Sequence, residues 1–236
     1  MNTTHLTDHA WATYLDQGYL RLGRCFDRAA LGDLQERIDA IMLGTADIAY
    51  DRLLMQVDSS TGAYHEAGAQ TLGHKGATLA YRKIQNLEED PRFFAAMRLP
   101  LFAAICRRVY GDRDIACYRA MFMNKPASRG TVLPMHQDRW TSLDRDPLVT
   151  IWIALDPATI ANGCVEVVPG SHRRLLNPGH PSGFLTPDME AEHAPKERRI
   201  PLELEPGEAV LLHNWLLHGS DVNRSSQSRR AFSVCY

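Results

Sequence analysis

The sequence predicts an α+β fold, in which helices pack on a mainly β core built as a sandwich, jelly roll or barrel. Three observations carry that reading. Helical periodicity is confined to the first half of the chain. From about residue 113 the texture turns to short β-branched or aromatic runs separated by Gly, Pro and Asn. A length of 236 residues, 44% of them hydrophobic, fits one large domain or a domain with a helical extension.

The elements follow in order. Thr7 and Asp8 offer N-cap oxygens ahead of "HAWATYLDQ", and Gly18 ends that helix. "YLRL" reads as a short strand. "DRAALGDLQERIDAIML" sets Leu31, Leu34, Ile38, Ile41 and Met42 at helical spacing, with Gly44 as the stop. Residues 44–80 contain "DSSTGAYHEAGAQTLGHKGAT", which has no period. A loop of that length is expected to be disordered or functional, for example a lid. Asp90–Pro91 opens a second helical region, because the N–H that proline lacks would be unpaired at a first helical position anyway. "PLFAAICRRVYG" is a further helix, ending near Gly111. The strands are then expected in "DIACYRAMFMNK", "LVTIWIALD", "CVEVVPG", "RIPLELEPGEAVLLHN" and "RRAFSVCY". The expected organisation is one domain over residues 1–236. A mainly helical part spans 1–112, with the long loop at 44–80, and the β core spans 113–236.

Composition excludes several classes of partner. A formal charge of −2 gives no basic excess for nucleic acid or an anionic membrane. "AVLL" and "LVTIWIAL" fall far short of the ~20 apolar residues that span a bilayer. "MNTTHLTDHAWATYL" has neither the basic nor the apolar region of a secretory signal. The five cysteines are odd in number and form no CxxC pair, as suits free thiols in a reducing cytoplasm. The oligomeric state is not legible.

"LPMHQDRW" is the first stretch that suggests chemistry. Alternation along a strand would point His136 and Asp138 to one face and Gln137 to the other. An imidazole and a carboxylate so placed, with one further histidine, make the facial triad of non-haem Fe(II) sites. His213 and His218 both offer that histidine. They are five residues apart, so an extended strand would face them oppositely. Arg229 and Arg230 open the last strand. An arginine facing the same cavity would hold a carboxylate through two parallel N–H groups. Each feature alone has an ordinary explanation, as an exposed polar pair, a structural histidine or a surface charge. The order HxD, distant His, then Arg, all on expected strands, is harder to assign to chance.

"RKIQNLEEDPRFF", "MFMNKPASRG", "LPMHQD", "NGCVEVVPGSH" and "LLHGSDVNRSSQSRRAFS" resemble, in order, the blocks of the phytanoyl-CoA dioxygenase family of Fe(II)- and 2-oxoglutarate-dependent oxygenases. The resemblance covers roughly residues 81–236. It implies a double-stranded β-helix, a cupin-like jelly roll. It implies His136, Asp138 and His218 as iron ligands, preferring the histidine that precedes Gly-Ser over His213. It implies that Arg229 grips the distal carboxylate of 2-oxoglutarate, with Ser220 beside it and Arg230 not involved. Lys83, Met121 and Trp152 match further residues lining that cosubstrate pocket, although each has a plain alternative as core or solvated charge. Glu166 and His172 are read as structural or supporting.

The implied reaction is oxidation, most simply hydroxylation, of a small-molecule metabolite with O2, as 2-oxoglutarate becomes succinate and CO2. Ascorbate would be supportive at most. The segments 44–80 and 173–199 are the expected substrate gates, and His65, His74, His180 and His193 lie in them. Neither carries a phosphate-cradling Gly-rich motif. That favours a free polar or amino-acid-like metabolite over a CoA thioester. The alternatives are an acyl-CoA hydroxylase, a non-enzymatic metal or 2-oxoglutarate sensor, and a Zn hydrolase.

Overall fold

In the computed structural model, which describes residues 6–236, Thr7 Oγ1 accepts the Ala10 N–H at 3.1 Å and starts α1 (Asp8–Gln17). Gly18 ends it in the left-handed region, φ 81°. The chain runs directly into β1 (Tyr19–Arg24) and, after the Asp27 cap, α2 (Arg28–Leu43). Leu31, Leu34, Ile38, Ile41 and Met42 are the buried face of α2, as their spacing predicts. Next come β2 (Leu54–Val57), β3 (Thr71–Leu72) and β4 (Tyr81–Gln85). Asp90 Oδ1 accepts the N–H groups of Arg92 and Phe93 to cap α3 (Pro91–Ala96), and α4 (Pro100–Tyr110) follows. The rest is mostly strand: β5 (Arg119–Lys125), β6 (Leu133–His136), β7 (Val149–Ala154) and β8 (Val165–Val167). The short helix α5 (Pro187–His193) precedes β9 (Ile200–Leu202), β10 (Glu208–His213), β11 (His218–Ser220) and β12 (Arg229–Cys235).

Two sheets result. The large one has the order β1-β10-β7-β12-β5-β4-β2-β3, and the small one β6-β11-β8-β9. Neighbouring strands of both run antiparallel. Period-two alternation then decides which core each side chain joins. Ile151, Ile153, Phe122, Phe232 and Val234 point outward, into a core shared with α2, α3 and α4. Trp152, Ala154, Val210, Leu212 and Ala231 point inward, where they meet Val165, Val167 and Leu202 of the small sheet. β7 is therefore buried at every position, which explains why "VTIWIA" shows no polar alternation. This is the α+β jelly roll, a double-stranded β-helix with its helices on the outside of the large sheet.

Two expectations need correcting. Residues 44–80 are not one aperiodic loop, because β2 pairs with β4 and extends the large sheet. The part before residue 113 holds four strands besides its helices. β1 and β4 join the main sheet beside β10 and β5, so residue 113 marks no structural division. β1 is the strand read in "YLRL", whereas the five residues of β4 give too little sequence for a period-two signal, and pairing with β2 and β5 fixes them. Among the described residues no helix is long and apolar enough to cross a membrane.

Candidate metal centre

β6 ends at His136 and β11 begins at His218, and the two residues are directly paired across the small sheet. Their rings lie 4.2 Å apart, centroid to centroid. Asp138 lies beyond the strand end, where its N–H donates to the Asn214 carbonyl at 2.7 Å. Ligand atoms of His136, Asp138 and His218 all lie within 4.8 Å of one another. Each imidazole is oriented in the same way. His136 Nδ1 lies 2.9 Å from the Pro134 carbonyl, and His218 Nδ1 lies 2.9 Å from the Leu216 carbonyl. A carbonyl only accepts, so Nδ1 carries the proton in both rings and Nε2 is left as an electron-pair donor. Burial, with His218 beside it, pushes His136 down to about 3, which keeps the ring neutral at physiological pH. For Asp138, burial opposes ionisation, but His218, Arg119, His136 and Lys83 together hold it below its ordinary value. Two imidazoles and a carboxylate on one side of a cavity are a donor set suited to a divalent first-row metal.

Gln137 turns away from this cluster, but not by strand alternation. Its side-chain amide donates to the carbonyls of Arg174 at 2.9 Å and Trp215 at 2.6 Å, and its Oε1 accepts the Leu176 N–H at 2.7 Å. A fully buried glutamine with these partners anchors the turn that places Asp138. The neighbouring backbone is held as tightly. Gly183 has φ +63°, and a Cβ there would sit 2.0 Å from the Gln137 carbonyl oxygen. Gly183→Ala is therefore expected to cost at least about 1–3 kcal/mol. Lowered Tm together with weaker metal retention would bear this out, and a wild-type Tm would refute it.

Beyond the triad lies a cavity of about 130 Å³ between the sheets. The large sheet lines it with alternate residues. Across β5 and β12 the pairs are Lys125 with Arg229, Met123 with Ala231, and Met121 with Ser233, and Trp152 of β7 faces Ser233. Arg229 is 3% exposed, and its Nε and Nη1 have no hydrogen-bond partner. Its guanidinium lies 5.4 Å from the Trp152 ring centroid. Burial lowers its pKa to about 10, so it stays charged. Arg230, one residue on, faces outward and is bound by Asp156 and Asp39. Ser220 is buried on the cavity wall with Arg229, Met121, Trp152 and Lys83. Burial lowers the Lys83 ammonium to about 7.

Other histidines and acids divide by position. His213 borders the cavity, but its Nδ1 accepts the Trp215 N–H at 3.0 Å and its ring packs on His172 at 5.0 Å. His172 Nε2 lies 3.2 Å from the Leu15 carbonyl, and Glu166 faces Arg199 at 3.6 Å. His65, His74, His180 and His193 do not line the cavity. His74 instead packs against Tyr50 and Tyr81, and His180 Nδ1 accepts the Ser182 and Phe184 N–H groups. The two expected gates do reach the cavity, through Tyr64 in one case and Ser182 and Phe184 in the other. Sequence reasoning missed Arg119, Thr150 and Asn214, which also line it. Counting back by two from Met121 along β5 would have found Arg119.

Comparison with known proteins adds to this geometry. A family model described as "Phytanoyl-CoA dioxygenase (PhyH)" matches residues 14–231. A probable phytanoyl-CoA dioxygenase of Caenorhabditis elegans is 28% identical over 235 residues, covering 94% of this chain and 72% of the relative. The human peroxisomal phytanoyl-CoA dioxygenase is 29% identical over 161 residues, covering 64% of this chain and 47% of the relative. The mouse phytanoyl-CoA dioxygenase domain-containing protein 1 is 31% identical over 154 residues, covering 61% and 52%. The chain thus spans about half the length of the human and mouse relatives. Among solved structures, EctD from S. alaskensis with 2-oxoglutarate and 5-hydroxyectoine superposes with a TM-score of 0.77 at 20% identity, covering 100% of this chain and 77% of EctD. The carbocyclase SnoK from nogalamycin biosynthesis gives 0.72 at 19%, covering 98% and 84%. At these identities the likeness is one of fold.

Proposed function

This chain belongs to the phytanoyl-CoA dioxygenase family of enzymes, and on that premise we propose that it is an Fe(II)- and 2-oxoglutarate-dependent dioxygenase that hydroxylates a small-molecule metabolite. The whole chain acts as one oxygenase domain. The observation that carries the reading is a pairing across one cavity. At one side His136, Asp138 and His218 converge, and at the other the buried Arg229 offers two unpartnered N–H groups. Neither half explains the other unless a ligand spans them. 2-Oxoglutarate does so chemically, with a keto acid for the metal and a far carboxylate for the guanidinium. One solved structure with this fold holds 2-oxoglutarate beside 5-hydroxyectoine.

Bound there, Fe(II) with 2-oxoglutarate and O2 supplies oxidation of an unactivated C–H bond, with succinate and CO2 as co-products. The residues do the rest. His136 and His218 present their Nε2 atoms, fixed by their Nδ1–H bonds, and Asp138 supplies the anionic oxygen. Arg229 and Ser220 hold the far end of the cosubstrate, and Trp152 and Met121 form apolar walls that exclude water around it. Lys83 adds positive charge to the same pocket. The cavity is small beside the roughly 300–1,000 Å³ of usual ligand sites, which favours a compact substrate over a CoA thioester. The five unpaired cysteines fit a cytoplasmic location.

The test is spectroscopic. Anaerobic Fe(II) plus 2-oxoglutarate is expected to give a weak visible charge-transfer band, and uncoupled turnover in air to form succinate. Zn binding with no band would instead support a hydrolase. A band without any succinate would support a sensor.

A further inference from the structure

We propose that the substrate of this site carries a carboxylate and that Arg119 binds it. The inference rests on the oxygenase reading above and goes beyond it by assigning the substrate's chemical class and the residue that selects it.

Arg119 opens β5, on the inward face it shares with Met121, Met123 and Lys125. Lys125 pairs with Arg229 at the other end of the strand. At ~3.3 Å per residue the backbones at the two ends are roughly 20 Å apart, so Arg119 and Arg229 enter the cavity from opposite ends of the strand pair. Arg229 is nearly inaccessible, whereas the Arg119 side chain keeps 20% of its surface exposed. That exposure leaves Arg119 within reach of an entering molecule.

The Arg119 guanidinium is paired only loosely, with Asp138. It makes no hydrogen bond among the described residues, and its nearest carboxylate oxygen, on Asp138, is 3.9 Å away. That separation is too long for a hydrogen bond that would orient Asp138. Its neighbour Arg139, by contrast, is occupied by the Pro178 carbonyl at 3.1 Å and by Asp146 at 3.3 Å. Arg119 instead lies over Trp140, 5.0 Å from the ring centroid, and Tyr118 packs edge-on against that indole. Stacking covers a face of the guanidinium and leaves its edge, with the parallel N–H pair that matches a carboxylate.

Charge in the cavity favours the same occupant. The lining residues include Lys83, Arg119, Arg139 and Arg229 against the single carboxylate of Asp138. Asp146 offsets Arg139, and Fe(II) and the 2-oxoglutarate dianion offset each other. Arg119 and Arg229, with Lys83 charged in part because burial lowers it to about 7, then outweigh the one anion, and a neutral or cationic substrate would leave that field unbalanced. The 3.9 Å approach of Arg119 to Asp138 also places a bound carboxylate close to the metal cluster. The oxidised carbon therefore lies near the carboxylate in the substrate skeleton.

The experiment uses the anaerobic Fe(II)–2-oxoglutarate protein and reads its charge-transfer band while small carboxylic acids and their carboxamides are added in matched pairs. Some carboxylates are expected to shift the band where their amides do not. In Arg119→Gln loaded with Fe(II) and 2-oxoglutarate, the carboxylate concentration needed to shift the band is expected to rise roughly 10- to 100-fold. Arg119→Lys is expected to recover part of that loss, because it restores charge but not the fork. Three results overturn the proposal while leaving the oxygenase reading intact: no carboxylate shifts the band, amides shift it equally well, or Arg119→Gln responds like wild type. Loss of the band in Arg119→Gln alone also overturns it, since Arg119 would then serve the metal site. Failure of the wild-type band removes the oxygenase reading and the proposal with it.

Discussion

His218→Ala is expected to strip iron from the protein and abolish 2-oxoglutarate turnover, while His213→Ala retains the metal. Both imidazoles border the same cavity, so position alone does not separate them. Orientation does. His218 is paired directly with His136, and its Nδ1 is committed to the Leu216 carbonyl, which frees Nε2 toward the cluster. His213 has the opposite tautomer demand, since its Nδ1 accepts an N–H from Trp215. Its ring is held against His172, and burial pushes it down to about 4, where it is a neutral packing group. Removing a group that only orients a ligand typically weakens metal binding ~10- to 100-fold, and losing the ligand itself should exceed that. His136→Ala and Asp138→Ala are expected to behave like His218→Ala. Iron content after dialysis is the measurement, with Tm of the metal-free proteins as the folding control. Iron lost from the His213 variant but kept in the His218 variant would reverse the assignment.

The sequence made much of this legible, for uneven reasons. Strong local signals carried the helices: the caps at Thr7 and Asp90, glycine stops, and one apolar face in α2. β5, β7, β10 and β12 were visible as apolar runs, because strands buried on both faces leave little polar alternation. β2 and β3 were invisible. They are short and carry polar residues, and pairing stabilises them more than their own composition does, β2 with β4 and β3 with β2. "HQD" named two residues that the structure brings together with His218, but through an incomplete argument. The strand stops at His136, and Asp138 is set by Asn214 and by the buried anchor of Gln137, whose partners lie 37 and 78 residues away in sequence. No local pattern encodes those contacts. Arg119 went unread for a similar reason. An arginine at a strand's first position looks like surface until β12 and Trp140 close around it.

The neighbouring arginines of β12 should part company cleanly. Arg229→Ala is expected to raise the KM for 2-oxoglutarate by about 30-fold or more, with iron content unchanged. Its guanidinium is buried with two N–H groups unpartnered, an arrangement that opposes folding unless an anion completes it. Removing it therefore should not lower the Tm of the cosubstrate-free protein, and can raise it. Added 2-oxoglutarate should stabilise wild type with iron present and give the variant little at the same concentration. Arg229→Lys should remain impaired, because an ammonium restores charge without two parallel bonds. Arg230→Ala should do the reverse. That side chain satisfies Asp156 at 2.8 Å and Asp39 at 2.5 Å on the outer face, where it ties β12 to α2. Its loss leaves the mostly buried Asp156 short of its cation, at a cost of about 2–3 kcal/mol and a lower Tm. The KM for 2-oxoglutarate should stay near wild type. One residue of sequence turns a side chain to the opposite face of a strand, so the pair of variants tests the register of β12 as well as the cosubstrate assignment. A raised KM in the Arg230 variant with none in the Arg229 variant would mean that β12 is read one residue out of phase.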